Sequence, residues 1–139
     1  MYIKTFTFTV NTKGFNDIVD ITSEVQSRLN ETGMKEGNVL IFAPGSTSGI
    51  TTIEYEPGLL KDYPEFFEKI APSNHHYHHN ETWHDNNGHA HVRASLQGGS
   101  LQIPFIDSKL LLGTWQQIVL IDFDNRPRRR NIIAQFIGQ

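Results

Sequence analysis

All seven histidines of the chain fall in one run, His75-His76-Tyr77-His78-His79-Asn80-Glu81-Thr82-Trp83-His84-Asp85-Asn86-Asn87-Gly88-His89-Ala90-His91. Imidazoles mixed with carboxylates, in a chain without cysteine, are the donor set for Zn²⁺, Mn²⁺, Fe²⁺ or Ni²⁺. Three such donors on one ion leave a coordination position open, as catalytic metal sites do. Spacing says less than composition: His75 and His79 would share a face of a helix, whereas His89 and His91 would share a face only of a strand. No HExxH or comparable fixed pattern occurs. His79 and His91 are the preferred candidates, and His75, His76, His78 and His84 read as solvated loop residues that touch nothing. In the first turn of a helix His91 would be held neutral by the positive end of the helix dipole, the form that binds a metal or accepts a proton. Asp85 is the nearest carboxylate able to orient a ligand histidine or to join it.

Three other constellations carry polar chemistry. Pro44-Gly45-Ser46-Thr47-Ser48-Gly49 combines glycines with hydroxyls and could offer backbone N–H groups, Ser46 and Thr47 to an anion. It lacks the lysine of a P-loop, and a plain hairpin connection accounts for it equally well. Among Arg126, Arg128, Arg129 and Arg130, strand alternation would put Arg128 and Arg130 on one face as a fork for phosphate or carboxylate, or as solvated charges that protect a sheet edge. Leu111-Leu112-Gly113-Thr114-Trp115-Gln116 sets a tight backbone before Trp115, which suits either the core or a ligand platform. Glu54, in a strand beside Ile53 and Tyr55, would be paired or functional if it faced inward and merely solvated if it faced out.

The elements that must position these residues follow from hydrophobic periodicity. Residues 2–10 alternate Phe6, Phe8 and Val10 with threonines, as a half-buried strand does. Ile21, Val25 and Leu29 recur every fourth residue, which predicts a helix over 20–33 capped near Asp20, Thr22 or Ser23 and stopped by Gly33. A second helix is expected over 59–70, with Pro64 opening its second piece and Pro72 closing it. Residues 72–90 read as a long loop and 89–96 as a short helix ended by Gly98-Gly99. Strands are expected at 38–43, 50–56, 101–105, 110–112, 115–123 and 131–137. The result is one α+β domain over 1–139, with a mostly antiparallel sheet, two main helices and one short helix.

Composition removes whole classes of function. The 139 residues are 37% hydrophobic and 19% charged, an ordinary globular balance. Without cysteine there is no disulfide framework, thiolate site or cysteine nucleophile. A net charge of −3 argues against nucleic acid as a partner, with Arg126–Arg130 as a local exception. No apolar stretch approaches a membrane span, and Met1-Tyr2-Ile3-Lys4-Thr5 reads as a strand rather than a signal peptide, so a cytoplasmic protein is expected.

Taken in order, Pro44-Gly45-Ser46-Thr47, Ile50-Thr51-Thr52-Ile53-Glu54, Tyr77-His78-His79, Asp85 and His91, Leu112-Gly113-Thr114-Trp115-Gln116 and Arg128-Arg129-Arg130 resemble the YjbQ family over nearly the whole chain. The resemblance implies a β-sandwich-like fold, a homotrimer, and a polar pocket near the subunit contacts. It also implies a weak secondary thiamine-phosphate synthase activity, coupling a pyrimidine pyrophosphate to a thiazole phosphate. Carried onto this chain, His79, His91, Asp85 and, in place of a family histidine absent at Gly45, His89 would hold a divalent metal, Zn or Mg/Mn. Glu54 and His91 would be catalytic, and Ser46, Thr47, Trp115, Gln116, Arg128 and Arg130 would bind a small anionic or phosphorylated ligand. The alternative is a non-catalytic homotrimer that binds a metal or small anion.

Overall fold

Ile118, Val119, Leu120 and Ile121 are four consecutive apolar residues, a pattern that suits a strand covered on both faces. In the computed structural model, which describes residues 1–139, they sit in β7 (Gln117–Asp122) and all are fully buried. This strand is the centre of a three-stranded antiparallel sheet, flanked by β2 (Asp17–Asp20) and β4 (Ser48–Ile53). A second, five-stranded antiparallel sheet runs in the order β1 (Tyr2–Thr12), β8 (Arg128–Gly138), β3 (Glu36–Phe42), β5 (Ser100–Ile106) and β6 (Lys109–Leu110).

The two faces of β7 serve two cores. Ile118 and Leu120 pack with Val10, Ile41, Phe105, Ile132 and Phe136 of the larger sheet and with Val25 and Leu29 of helix α1 (Thr22–Thr32). Val119 and Ile121, with Phe123, pack on Phe67 of α2 (Pro57–Ile70) and on Ala90 and Ala94 of α4 (Gly88–Gln97). The smaller sheet is therefore a middle layer, and α4 lies closest to its strand β4, with Ala90 and Ala94 turned into the core it shares with β7.

Local chemistry sets the helix ends. Asp20 accepts hydrogen bonds from the Thr22 N–H and hydroxyl at the start of α1, and Gly33 ends it at φ 72°. Glu56 accepts from the N–H groups of Gly58 and Leu59 at the start of α2. The second helix runs unbroken through Pro64 rather than in two pieces. Its last turn is held by Arg93 of α4, only 1% exposed, whose Nε donates to the Ala71 carbonyl at 2.9 Å while Nη2 reaches Glu68 at 2.7 Å and Nη1 reaches Asn16 at 2.8 Å.

The α+β antiparallel architecture is as expected, with several shifts. The 72–90 segment contains a fourth helix, α3 (His78–Trp83), and β2 is a strand too short to show alternation in the sequence. The 44–49 segment is no hairpin, because β3 and β4 belong to different sheets. Glu54 lies just beyond β4, Trp115 and Gln116 precede β7, and β8 begins early enough to contain Arg128 and Arg130.

Where the sheets meet, a largely buried polar network replaces the apolar core. Arg130 donates from Nε and Nη2 to the two carboxylate oxygens of Asp122, each at 2.7 Å, and from Nη2 to the Thr47 hydroxyl at 2.7 Å. Thr12 donates to Asp122 at 2.6 Å, and Asp124 accepts from Arg128 at 2.6 Å, from Thr47 at 3.2 Å and from Asn87 at 3.2 Å. Burial pushes the Asp124 carboxyl up, but the hydrogen bonds from Asn87, the Asn125 N–H and Thr47, together with the Arg128 charge, hold it below the ordinary carboxylate value. A carboxyl with a depressed folded pKa adds stability above its unfolded value and loses it as pH falls through the folded one. Asp124→Asn should therefore be less stable at neutral pH and lose less further stability below about pH 4 than the parent chain, in urea unfolding across pH. Asp122→Ala, which strands Arg130 without its partner, should cost about 3–5 kcal/mol at pH 7.

Candidate functional site

Two helices bring the key imidazoles together. The start of α4 lies against the residue before α3, because a Cβ on Gly88 would stand 2.4 Å from the Tyr77 Cβ. Only glycine permits that approach. The Asn80 side chain fixes it by accepting from the Gly88 N–H at 3.0 Å. His79, second residue of α3, then meets His91, fourth residue of α4, with ring centroids 4.1 Å apart and planes inclined by 37°. The Nδ1 atom of His79 is buried without a hydrogen-bond partner, and the nearest carboxylate oxygen, on Asp85, is 3.8 Å away. Burial, and then the proximity of His79, lower the His91 pKa below 6.5, with Asp85 and Asp124 opposing. His91 is consequently neutral near pH 7.

His91 borders a cavity of about 260 Å³ whose other walls are Gly45, Ser46, Ser48, Ala94, Ser95 and Gly99. The Ser48 hydroxyl is buried there without a partner. Gly45, at φ 123°, passes so close to Arg130 that its absent Cβ would lie 3.4 Å from Nη1. That nitrogen is the one guanidinium nitrogen of Arg130 outside the Asp122 and Thr47 bonds.

The remaining candidates separate. Two positions on a helix differ by about 200°, so His89 points away from His91. It borders another cavity, of about 320 Å³, with Phe15, Ser73, Asn74, Asn86 and Asn125. Burial and then the Arg93 charge lower its pKa. The three-histidine convergence of His79, His89 and His91 is thus not formed; Asp85 is the third donor near the pair. Thr47, Arg128 and Arg130 are bound into the buried network, while Ser46 stays exposed at the cavity rim. Glu54 is exposed and lines neither cavity. Trp115 is 70% exposed, and Gln116 closes its own turn by accepting from the Gly113 N–H at 2.8 Å.

The sequence reasoning missed Asp122, Asp124, Asn87 and Ser48. The two aspartates did leave a signal: they are spaced by two at the end of β7, as Arg128 and Arg130 are spaced by two at the start of β8, so charges of both signs recur with strand spacing. In the His79→Ala variant, NMR titration of His91 should show its midpoint moving up toward 6.5 from the lower value of the parent chain, since the neighbouring imidazole is gone and solvent enters.

A family model described as UPF0047 protein YjbQ-like matches residues 6–139. A UPF0047 protein of Archaeoglobus fulgidus is 39% identical over 86% of this chain and 90% of its own. The UPF0047 protein YugU of Bacillus subtilis is 34% identical over 95% and 98%. Among solved structures, a YbjQ-like protein of unknown function from Sulfolobus solfataricus overlays with a TM-score of 0.90 at 30% identity, covering 99% of this chain and 100% of that one. A hypothetical protein from Aeropyrum pernix overlays with a TM-score of 0.91 at 31% identity, covering 98% and 99%. Sequence likeness that runs from Phe6 to the last residue, and a fold that overlays at full length, place this chain in the YjbQ-like UPF0047 family.

Proposed function

We propose that this UPF0047 protein binds a divalent transition metal together with a small phosphorylated or otherwise anionic molecule in the cleft between α4 and the 44–48 loop. One observation carries the reading: a neutral His91 stacked on a His79 whose Nδ1 is buried with nothing to bond. A buried, unpartnered nitrogen is costly unless a partner completes it. Two imidazoles with the Asp85 carboxylate fit Zn²⁺ or Mn²⁺ better than Mg²⁺, which prefers an all-oxygen shell. When bound, such an ion would supply positive charge to an anion and to charge developing on a departing phosphate.

The protein's own groups would orient that anion. Ser46, Ser48 and Ser95 offer hydroxyls around the cavity, and Arg130 offers Nη1 behind Gly45. Arg128 and Arg130 are matched by Asp124 and Asp122, so they bring little net charge to the ligand. Such a cleft holds an anion mainly by hydrogen bonds, and weak turnover of the thiamine precursors is the most that it would support. A purely binding role is favoured by Glu54, the expected catalytic carboxylate, standing exposed outside the cavity. Under either reading the chain acts as a homotrimer. Exposed Val92 and Leu96 on α4 are available to a second copy.

Protein prepared without nickel chromatography should contain metal that the His91→Ala variant loses, and the variant should bind inorganic pyrophosphate at least about tenfold more weakly. Equal metal content and equal pyrophosphate affinity in the two proteins would overturn the reading. In an assay with both thiamine precursors, product formation lost in His91→Ala would mark an enzyme; background formation in both proteins would leave the binding role.

A further inference from the structure

We infer that the outer side of α3 carries a second site for a divalent transition cation, formed by His76, His78 and Glu81. Neighbouring residues of this helix point in different directions: the His79 side chain is 27% exposed against His91, whereas that of His78 is 95% exposed. On the outer side, Glu81 gathers two imidazoles. Its Oε1 lies 2.8 Å from Nε2 of His76 and its Oε2 lies 3.8 Å from Nδ1 of His78, and one donor atom from each residue falls within 4.8 Å of the others. None of these three residues belongs to the His79, His91 and Asp85 group.

The triangle is close to what a cation needs. Tetrahedral bonds of about 2.0–2.1 Å place donor atoms about 3.3–3.5 Å apart. Closing the present separations takes side-chain rotation alone, at residues with side chains 64%, 95% and 62% exposed, and disturbs no core contact. Two imidazoles and one carboxylate select Zn²⁺, Ni²⁺ or Cu²⁺ over Mg²⁺ or Ca²⁺. Three donors leave a position for water, so the site exchanges its ion with solvent.

The spacing adds a consequence. His76 precedes α3, while His78 and Glu81 lie within it, so an ion would tie the incoming chain to the helix. A six-residue helix with no buried residue has little stability of its own. An ion on its outer side would steady the segment that presents His79 inward.

The test is calorimetric titration of tag-free, metal-free protein with Zn²⁺, in a His91→Ala background that removes the inner pair. That background should retain one zinc equivalent, which His76→Ala with His78→Ala should weaken at least about tenfold and Glu81→Gln should also weaken. Mg²⁺ at the same concentration should give no heat at this site. Zinc affinity in the His91→Ala background that is absent, or unchanged by both sets of substitutions, would overturn the inference. Loss of metal by His91→Ala alone bears on the inner site and leaves this one to its own variants.

Discussion

The paired burial of Asp122 and Asp124 beneath Arg130 constrains the rest of the molecule. Three charged side chains, at 0%, 0% and 5% exposure, can stay ionised there only because every one of them is bonded from several directions. The bonds come from the end of β1, the 44–48 loop, the end of β7, the start of β8 and the residue that opens α4. A buried charge is unforgiving about position. Five segments, drawn from near both ends of the chain and its middle, are thereby held together at the place where the two sheets meet.

That constraint explains why the cleft is where it is. Thr47 is fixed by Arg130 and Asp124, so the neighbouring Ser46 and Ser48 line the cavity from a loop that cannot drift. Asn87 is fixed by Asp124, so α4 starts at a defined point and carries His91 to the opposite wall. The middle of the same helix is tied by Arg93 to the close of α2. Both walls of the cleft are thus hung from ionic groups, with Nε and Nη2 of Arg130 and Nη1 of Arg128 given to the walls.

Much of the fold was legible because burial leaves a period. The fourfold spacing of Ile21, Val25 and Leu29, the alternation of Phe6, Phe8 and Val10, and the unbroken apolar run in β7 each encode a face to be covered. What stayed hidden has no period. The third helix, α3, buries no residue, so nothing in its pattern betrays it. At the cleft, the pairing of His79 with His91 was foreseen as two candidates, and the departure of His89 already followed from the helix expected over 89–96; only the family resemblance had placed His89 in the metal set. A strand would have kept His89 and His91 together. The arginines were put on one face, but their role turned on Asp122 and Asp124, which follow the apolar run of a core strand whose pattern gives no sign of them.

Gly45 limits what its position can hold. The chain keeps it at φ 123°, a backbone state that residues with a Cβ rarely adopt. The backbone oriented toward Arg130 by that glycine is part of how the loop reaches Thr47. A side chain substituted at position 45 would arrive on a backbone conformation that disfavours it, so accommodating one would require residues 44–46 to be rebuilt at the same time, and the glycine is entrenched by the path of its own loop.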